Sequence, residues 1–271
     1  MLTLPALCQL KRVDGAGLGR GDGAKGSGMT RLVVSDQVGT AFPGLLITAV
    51  VTAGFDGHSP WPELDERYGA LEAAARPVPG PDDDPHIAAW HAAYRAFGTN
   101  PRRQRPSAEA LLRRQARSSR LPRINPAVDC YNLVSASYSV PAGAFDLRKV
   151  TGDIVIRLAD GSEAFTPLGE PGTTENPHPG EVIYTDAAGV LTRHWNHRDA
   201  ERTKVTETSQ QIVFLLETVD AAAFGTRLDD AAGCLAGLLA GRSRSLAVHR
   251  LTAAQLATPD LQAAVAGRPA D

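Results

Sequence analysis

The spacing of apolar residues changes near Pro141, at the end of a run of helical period, and no other feature narrows the possible folds as much. From Trp61 to that point, apolar side chains recur three and four residues apart, the period of a helix with one buried face. Four helices are expected there. WPELDERYGALEAAAR (61–76) ends before Pro77, and IAAWHAAYRAF (87–97) sets Ile87, Trp90, Ala93, Tyr94 and Phe97 on one side. SAEALLRRQAR (107–117) has Ser107 as its candidate cap, and Asn125-Pro126 opens AVDCYNLVSASYSV (127–140). After Pro141 come the short runs DIVIRLAD, EAFTPLG, EVIYTD, VLTRHWN and QQIVFLLETV, separated by turn residues and read as strands. A helix, LDDAAGCLAGLLAG, and a strand, SLAVHRL, follow; two strands, RLVVSD and LLITAVVTAGFD, precede the helices. This order describes an α+β domain, mixed sheets with flanking helices.

The folded part is expected over residues 29–251. Residues 1–28 include GAGLGRGDGAKGSG, which offers few side chains to bury against the entropy of ordering, and read as an extension. Met29 is a candidate functional start, and residues 252–271 read as a loose tail. The longest apolar run, Leu45–Ala53, is about half the length a membrane-spanning helix needs, so no membrane partner is expected. Three widely spaced cysteines make no CxxC pair and no even disulfide framework, which points to the cytoplasm.

Charge is unevenly placed. The chain carries 28 Lys+Arg and 30 Asp+Glu, yet residues 101–123 hold eight arginines and one acidic residue, Glu109. The remainder is left with 20 basic and 29 acidic side chains. A basic island in an acidic protein suits a polyanion, because each neutralised phosphate releases counterions. Arg102, Arg103, Arg105, Arg113, Arg114 and Arg117 are the candidate contacts, with Arg120 and Arg123 beyond them. The island holds no aromatic residue on which a base would stack. A solvated helix face accounts for the same pattern.

Three segments, FGTNPRRQRPSAEALLRR (97–114), LPRINPAVDCYNLVSASYSVPAGAFDL (121–147) and RHWNHRDAERTKVTETSQQIVFLLE (193–217), together resemble the stand-alone B3/B4 domain proteins. These are relatives of the editing module in the beta subunit of bacterial phenylalanyl-tRNA synthetase. The resemblance implies a B3/B4-like editing-domain fold and a hydrolase that removes a wrong amino acid from aminoacylated tRNA in trans. It implies tRNA and an amino-acid-like ligand as partners and no cofactor. Two alternatives remain: a repurposed enzyme acting on a small amino-acid-like substrate, and a non-catalytic module that binds tRNA or an amino acid.

The resemblance also suggests where to look. Asn132 matches the asparagine of the TNY motif in the editing pocket, and Asp129 shares its helix face. Glu217 lines up with the glutamate that reads a tyrosine hydroxyl. The PxHAFD motif becomes Pro-Ala-Gly-Ala-Phe-Asp here, with Gly143 where the histidine stands, which puts tyrosine specificity in question. His194, Asn196, His197 and Arg198 form a polar loop able to relay protons or clamp an anion, and are the candidate catalytic group. The bland alternative for that loop buries Trp195 and pairs Arg198 with Asp199 or Glu201. His194 and His197 lack a third nearby ligand, so no metal is expected. Glu163 is expected as an ion-pair partner and Cys130 as core packing.

Overall fold

The computed structural model describes residues 29–73 and 83–266. The expected extension at 1–28, most of the Pro/Asp loop after Arg76 and the last five residues lie outside them. The elements are β1 (Leu32–Val34), α1 (Asp36–Ala41), β2 (Leu46–Ala53), α2 (Pro62–Ala73), α3 (Pro85–Ala96), α4 (Ser107–Ser118), α5 (Pro126–Tyr138) and β3 (Ala142–Asp146). They continue with β4 (Ile154–Leu158), β5 (Val182–Asp186), β6 (Gly189–Arg193), β7 (Arg198–Asp199), β8 (Gln211–Thr218), α6 (Ala221–Ala240), β9 (Ser245–Thr252) and α7 (Ala263–Ala266).

Two sheets result, one ordered β1-β4-β5-β6-β7 and the other β3-β8-β2-β9. The second is antiparallel throughout, and in the first only β1 and β4 run parallel. Strand alternation splits the core. On β8, Ile212, Phe214 and Leu216 pack beneath α5 and α6, with Cys130, Leu133, Leu235 and Leu239. Val213 and Leu215 face the other way, toward Ile156, Tyr184 and Leu191 of the five-stranded sheet and Trp90 and Tyr94 of α3. Glu217 continues that second row, so the apolar pattern of β8 carries a carboxylate into the seam between the sheets.

Local signals account for much of this. Asn125 accepts the Val128 N–H at 3.1 Å with Pro126 in the first turn, as expected for α5. Asp84 caps α3, whose Ile87, Trp90, Ala93 and Tyr94 are buried as one face. Three expectations change. Ser107 is not a cap: Pro106 holds that position with no side-chain bond, and Ser107 is the first helical residue. EAFTPLG forms no strand, only isolated bridges from Phe165 to Glu175 and from Pro167 to Ala200. The strand expected through VLTRHWN stops at Arg193, because His194 and Trp195 take left-handed backbone (φ 47° and 64°) and turn the chain. Part of the expected tail is also tied down: Thr258 N–H bonds to Leu32 carbonyl, Leu261 N–H to Thr30 carbonyl, and Leu261 is fully buried. Cys130 is a free, buried thiol. Among the described residues no helix is long and apolar enough to cross a membrane.

Candidate functional site

Glu217 is 4% exposed. Its Oε1 accepts the Tyr184 hydroxyl from the opposite sheet, and its Oε2 lies 3.5 Å from the Asn196 amide nitrogen. Neither partner is a cation, so burial dominates and raises the carboxyl to about 7 against those two hydrogen bonds. Asn196 is itself held from two sides, its Oδ1 accepting the Tyr94 hydroxyl at 2.9 Å and the Ser107 N–H at 3.3 Å. A backbone donor of the first turn of α4 is thus satisfied by a side chain some ninety residues away.

The turn that presents Asn196 is clamped from beneath by Glu181. That buried carboxylate accepts the His194 N–H (2.8 Å), the His178 N–H (3.1 Å) and two bonds from Arg193, at 3.1 and 2.9 Å. Burial would raise its pKa, but Arg193 and the other donors outweigh this and hold it below the usual value. His194 Nδ1 lies 2.9 Å from the Thr99 hydroxyl, and burial pushes its imidazole down to about 4, so the ring is neutral at pH 7. His197 Nδ1 meets the Arg105 carbonyl at 2.8 Å, and burial lowers its pKa as well. Both histidines therefore fasten the loop 99–105 beside Asn196.

Asp199 is the residue that sequence reasoning passed over, having appeared only as a partner for Arg198. It makes no such pair. Half-buried on β7, it accepts one bond, from the Thr192 hydroxyl at 2.8 Å, and burial raises its carboxyl to about 6. Its charge reaches Glu217, Tyr184 and also Tyr131 of α5. The signal available in sequence was an Asp on the far side of a polar turn from the other candidates.

Gly143 lies on β3, opposite Leu215 of β8, which places it diagonally from Glu217 on the same sheet face. A Cβ built there meets nothing within 4 Å. The position of the missing histidine is open space beside the buried carboxylate. Asn132 is half-buried on α5, a helix whose apolar side covers the other face of this sheet, and no hydrogen bond ties its amide to a described residue. Asp129 lies elsewhere: its carboxylate accepts the Ile124 N–H at 2.7 Å and pairs with Arg123 Nε at 3.1 Å. Arg198 is spent on Glu170 (2.5 Å) and Glu175 (3.0 Å). Glu163 pairs with Arg157 at 2.5 Å, and Trp195 is fully buried. Of the expected site residues, the fold brings Glu217, Asn196, His194 and His197 together, sets Gly143 alongside, and leaves Asp129 and Arg198 in ion pairs apart.

The arginines divide. Arg102, Arg105 and Arg113 line a cleft of about 470 Å³ together with His91, Arg95 and Glu109. Arg103, Arg114 and Arg117 are exposed and do not line it. Among the described residues no group of three or more His, Cys, Asp or Glu side chains is arranged to hold a metal ion.

Comparison with known proteins follows the same ground. Phenylalanine–tRNA ligase beta subunit of Shewanella oneidensis is 36% identical over 107 residues, 38% of this chain and 12% of that one. The Corynebacterium jeikeium subunit of the same name is 37% identical over 67 residues, 25% of this chain and 8% of its own. The chain thus spans about a tenth of these relatives' length. A solved N-terminal fragment of the phenylalanyl-tRNA synthetase beta subunit from Pyrococcus horikoshii is 16% identical, covers 80% of this chain and 52% of its own, and superposes with a TM-score of 0.37. Residues 89–229, which carry α4, α5, Gly143, the polar turn and Glu217, match the B3/4 domain, and since they are more than half of the chain, it belongs to the B3/4 domain family.

Proposed function

We propose that this chain hydrolyses the ester between a non-cognate amino acid and tRNA, acting in trans on the released aminoacyl-tRNA. The observation that carries the reading is a pair of carboxylates raised toward neutrality by burial, Asp199 at about 6 and Glu217 at about 7, beside an anchored amide, Asn196, and open space at Gly143. The similarity to segments of phenylalanine–tRNA ligase beta subunits supports the substrate class.

Ester hydrolysis needs a base for water, donors for the developing oxyanion and a seat for the amino acid. Asp199 is the more accessible carboxylate, and among the described residues only its Oδ1 accepts a hydrogen bond, so it is the base. Water attacks the ester carbonyl carbon as its proton passes to Asp199. The tetrahedral intermediate then collapses to the free amino acid and expels the ribose oxygen, which takes that proton back from Asp199 and leaves as the free hydroxyl. Glu217 and Asn196 orient the aminoacyl group, with its ammonium toward Glu217.

Deacylation of a panel of mischarged tRNAs tests this. Turnover above buffer for at least one amino acid is expected, with Asp199→Asn lowering kcat by about 100-fold or more, the usual contribution of a general base. Saturable binding without turnover on every charged tRNA overturns the reading in favour of a binding module. Turnover of free amino-acid esters with no preference for the tRNA-borne ester moves it to a small-molecule enzyme.

A further inference from the structure

The cleft between α3 and α4 is built in steps of four residues. His91 and Arg95 share one face of α3, and Arg105, Glu109 and Arg113 form a row running into α4. At its centre is Glu109, the one acid of the arginine island, 1% exposed. Its carboxylate meets His91 Nε2 at 2.6 Å, Arg113 Nε at 2.7 Å and Arg105 Nε at 3.5 Å. That last nitrogen is buried and has no hydrogen-bond partner.

Of the arginines that line this space, Arg113 is paired with Glu109, and Arg105 reaches the same carboxylate only at 3.5 Å. Arg95 and Arg102 make no ion pair with any described residue, and both are exposed at the mouth. A second hollow, also about 470 Å³, adjoins at those same two arginines and is floored by Gly98, Thr99, Asn100 and Pro101. Thr99 and Arg105 are the residues that grip His194 and His197, so the pair of hollows runs up to the turn carrying Asn196.

We infer that this cleft binds a phosphate ester of the nucleotide strand that delivers the substrate, with the phosphate between Arg95, Arg102 and Arg105 and the attached nucleoside in the adjoining hollow. The inference rests on the proposed hydrolysis for the identity of the strand. Glu109 orients two of the arginines: it accepts a bond from Arg113 Nε and lies within ion-pair range of Arg105 Nε. The unpaired positive charge of Arg95 and Arg102 suits a phosphodiester anion, and guanidinium groups match phosphate oxygens in paired bonds. The polyanion contact read from the arginine island is thereby narrowed to one concave site. It gains Arg95, which lies outside the island, and loses Arg103, Arg114 and Arg117.

Binding of inorganic phosphate, the trinucleotide CCA and uncharged tRNA to the full chain, at 50 and 200 mM salt, tests the site. Arg95→Ala/Arg102→Ala is compared with Arg114→Ala/Arg117→Ala, which removes the same charge from exposed positions off the cleft. The cleft variant is expected to lose about tenfold or more in affinity for CCA and to flatten the salt slope by about one or more, while the control changes two- to threefold. Equal losses in the two variants overturn the site in favour of diffuse attraction. Inorganic phosphate binding as tightly as CCA overturns the strand assignment and makes the occupant a free anion. CCA bound through the cleft with no deacylation of any aminoacyl-tRNA keeps the site and removes the hydrolysis. Deacylation with an unchanged KM in the cleft variant does the reverse.

Discussion

The Tyr184 hydroxyl of β5 donates to the Glu217 carboxylate of β8, so an acid buried between the two sheets is held by a neutral donor and not by a cation. Its folded pKa, about 7, stands above the ordinary value of 4.5. The folded state therefore binds more protons than the unfolded state between those limits. Stability from this group is fully present below about pH 4.5 and is lost as pH rises through 7, by about 3 kcal/mol in all. Glu217→Gln removes the titration. Urea midpoints taken from pH 4.5 to 8 should show the variant gaining on the wild type as pH rises, by about that amount. Parallel curves would mean that Glu217 stays ionised in the fold.

Removing the donor should be worse for the ion than for the acid. Tyr184→Phe takes away a hydrogen bond that favours the charged carboxylate, which moves the Glu217 pKa further up. The cost is about 1–3 kcal/mol at pH 8, where the bond is charge-assisted, and smaller at pH 5. Denaturation at the two pH values checks the difference. Equal costs would show that the hydroxyl is packing against Glu217 without stabilising its charge.

How much of this was legible in the sequence depends on whether the signal was local. Asn125-Pro126 announced α5 because cap and first-turn residue are neighbours, and the α3 face was readable from its own spacing. Glu217 stood out as a carboxylate ending an apolar strand, but its partner Tyr184 lies 33 residues away, on another sheet, and no period links them. Ser107 looked like a cap because its type and position fit one, and the donor it supplies is instead taken by Asn196. Glu109 was visible as one acid among arginines; that it is buried and organises them follows from α3 supplying His91. Asp199 was hidden by Arg198, the nearest cation in sequence, which turns to Glu170 and Glu175.

Glu181 is a positioning residue, and its removal should be felt at the turn and not only in overall stability. It holds Arg193 and the His194 N–H just where His194 and Trp195 adopt left-handed backbone, a conformation that costs energy for side chains of that size. Glu181→Gln leaves the buried Arg193 guanidinium with Glu175 as its one charge partner among the described residues, for a loss of up to about 3 kcal/mol. Hydrogen exchange at the His194 and Trp195 amides should accelerate more than at β8, and fluorescence of the buried Trp195 should shift toward that of an exposed indole. Uniform acceleration across both sheets would contradict a local role. Because Glu181 sits below its usual pKa, its stabilisation is present above about pH 4.5 and fades as the pH falls through its folded value, opposite in sign to Glu217.

Two glycines give opposite forecasts for the same substitution, and together they test whether the space beside Glu217 is real. Gly57 is buried, and a Cβ there would lie 2.5 Å from the Glu207 carbonyl oxygen, closer than nonbonded atoms approach. Gly57→Ala must move backbone, and should cost about 1–3 kcal/mol as overpacking does. Gly143 has an ordinary strand conformation and nothing within 4 Å of its Cβ position. Gly143→Ala should be neutral or stabilise by up to about 1 kcal/mol, since alanine loses less backbone freedom on folding. Gly143→His extends the probe from one carbon to a whole imidazole. If the hollow runs on toward Glu217 the histidine variant keeps near wild-type stability, and below about pH 6 its charged ring draws the Glu217 pKa down from 7. If only the Cβ fits, the histidine variant unfolds at lower urea while the alanine variant does not, and the opening beside Glu217 is too small to seat an aminoacyl group.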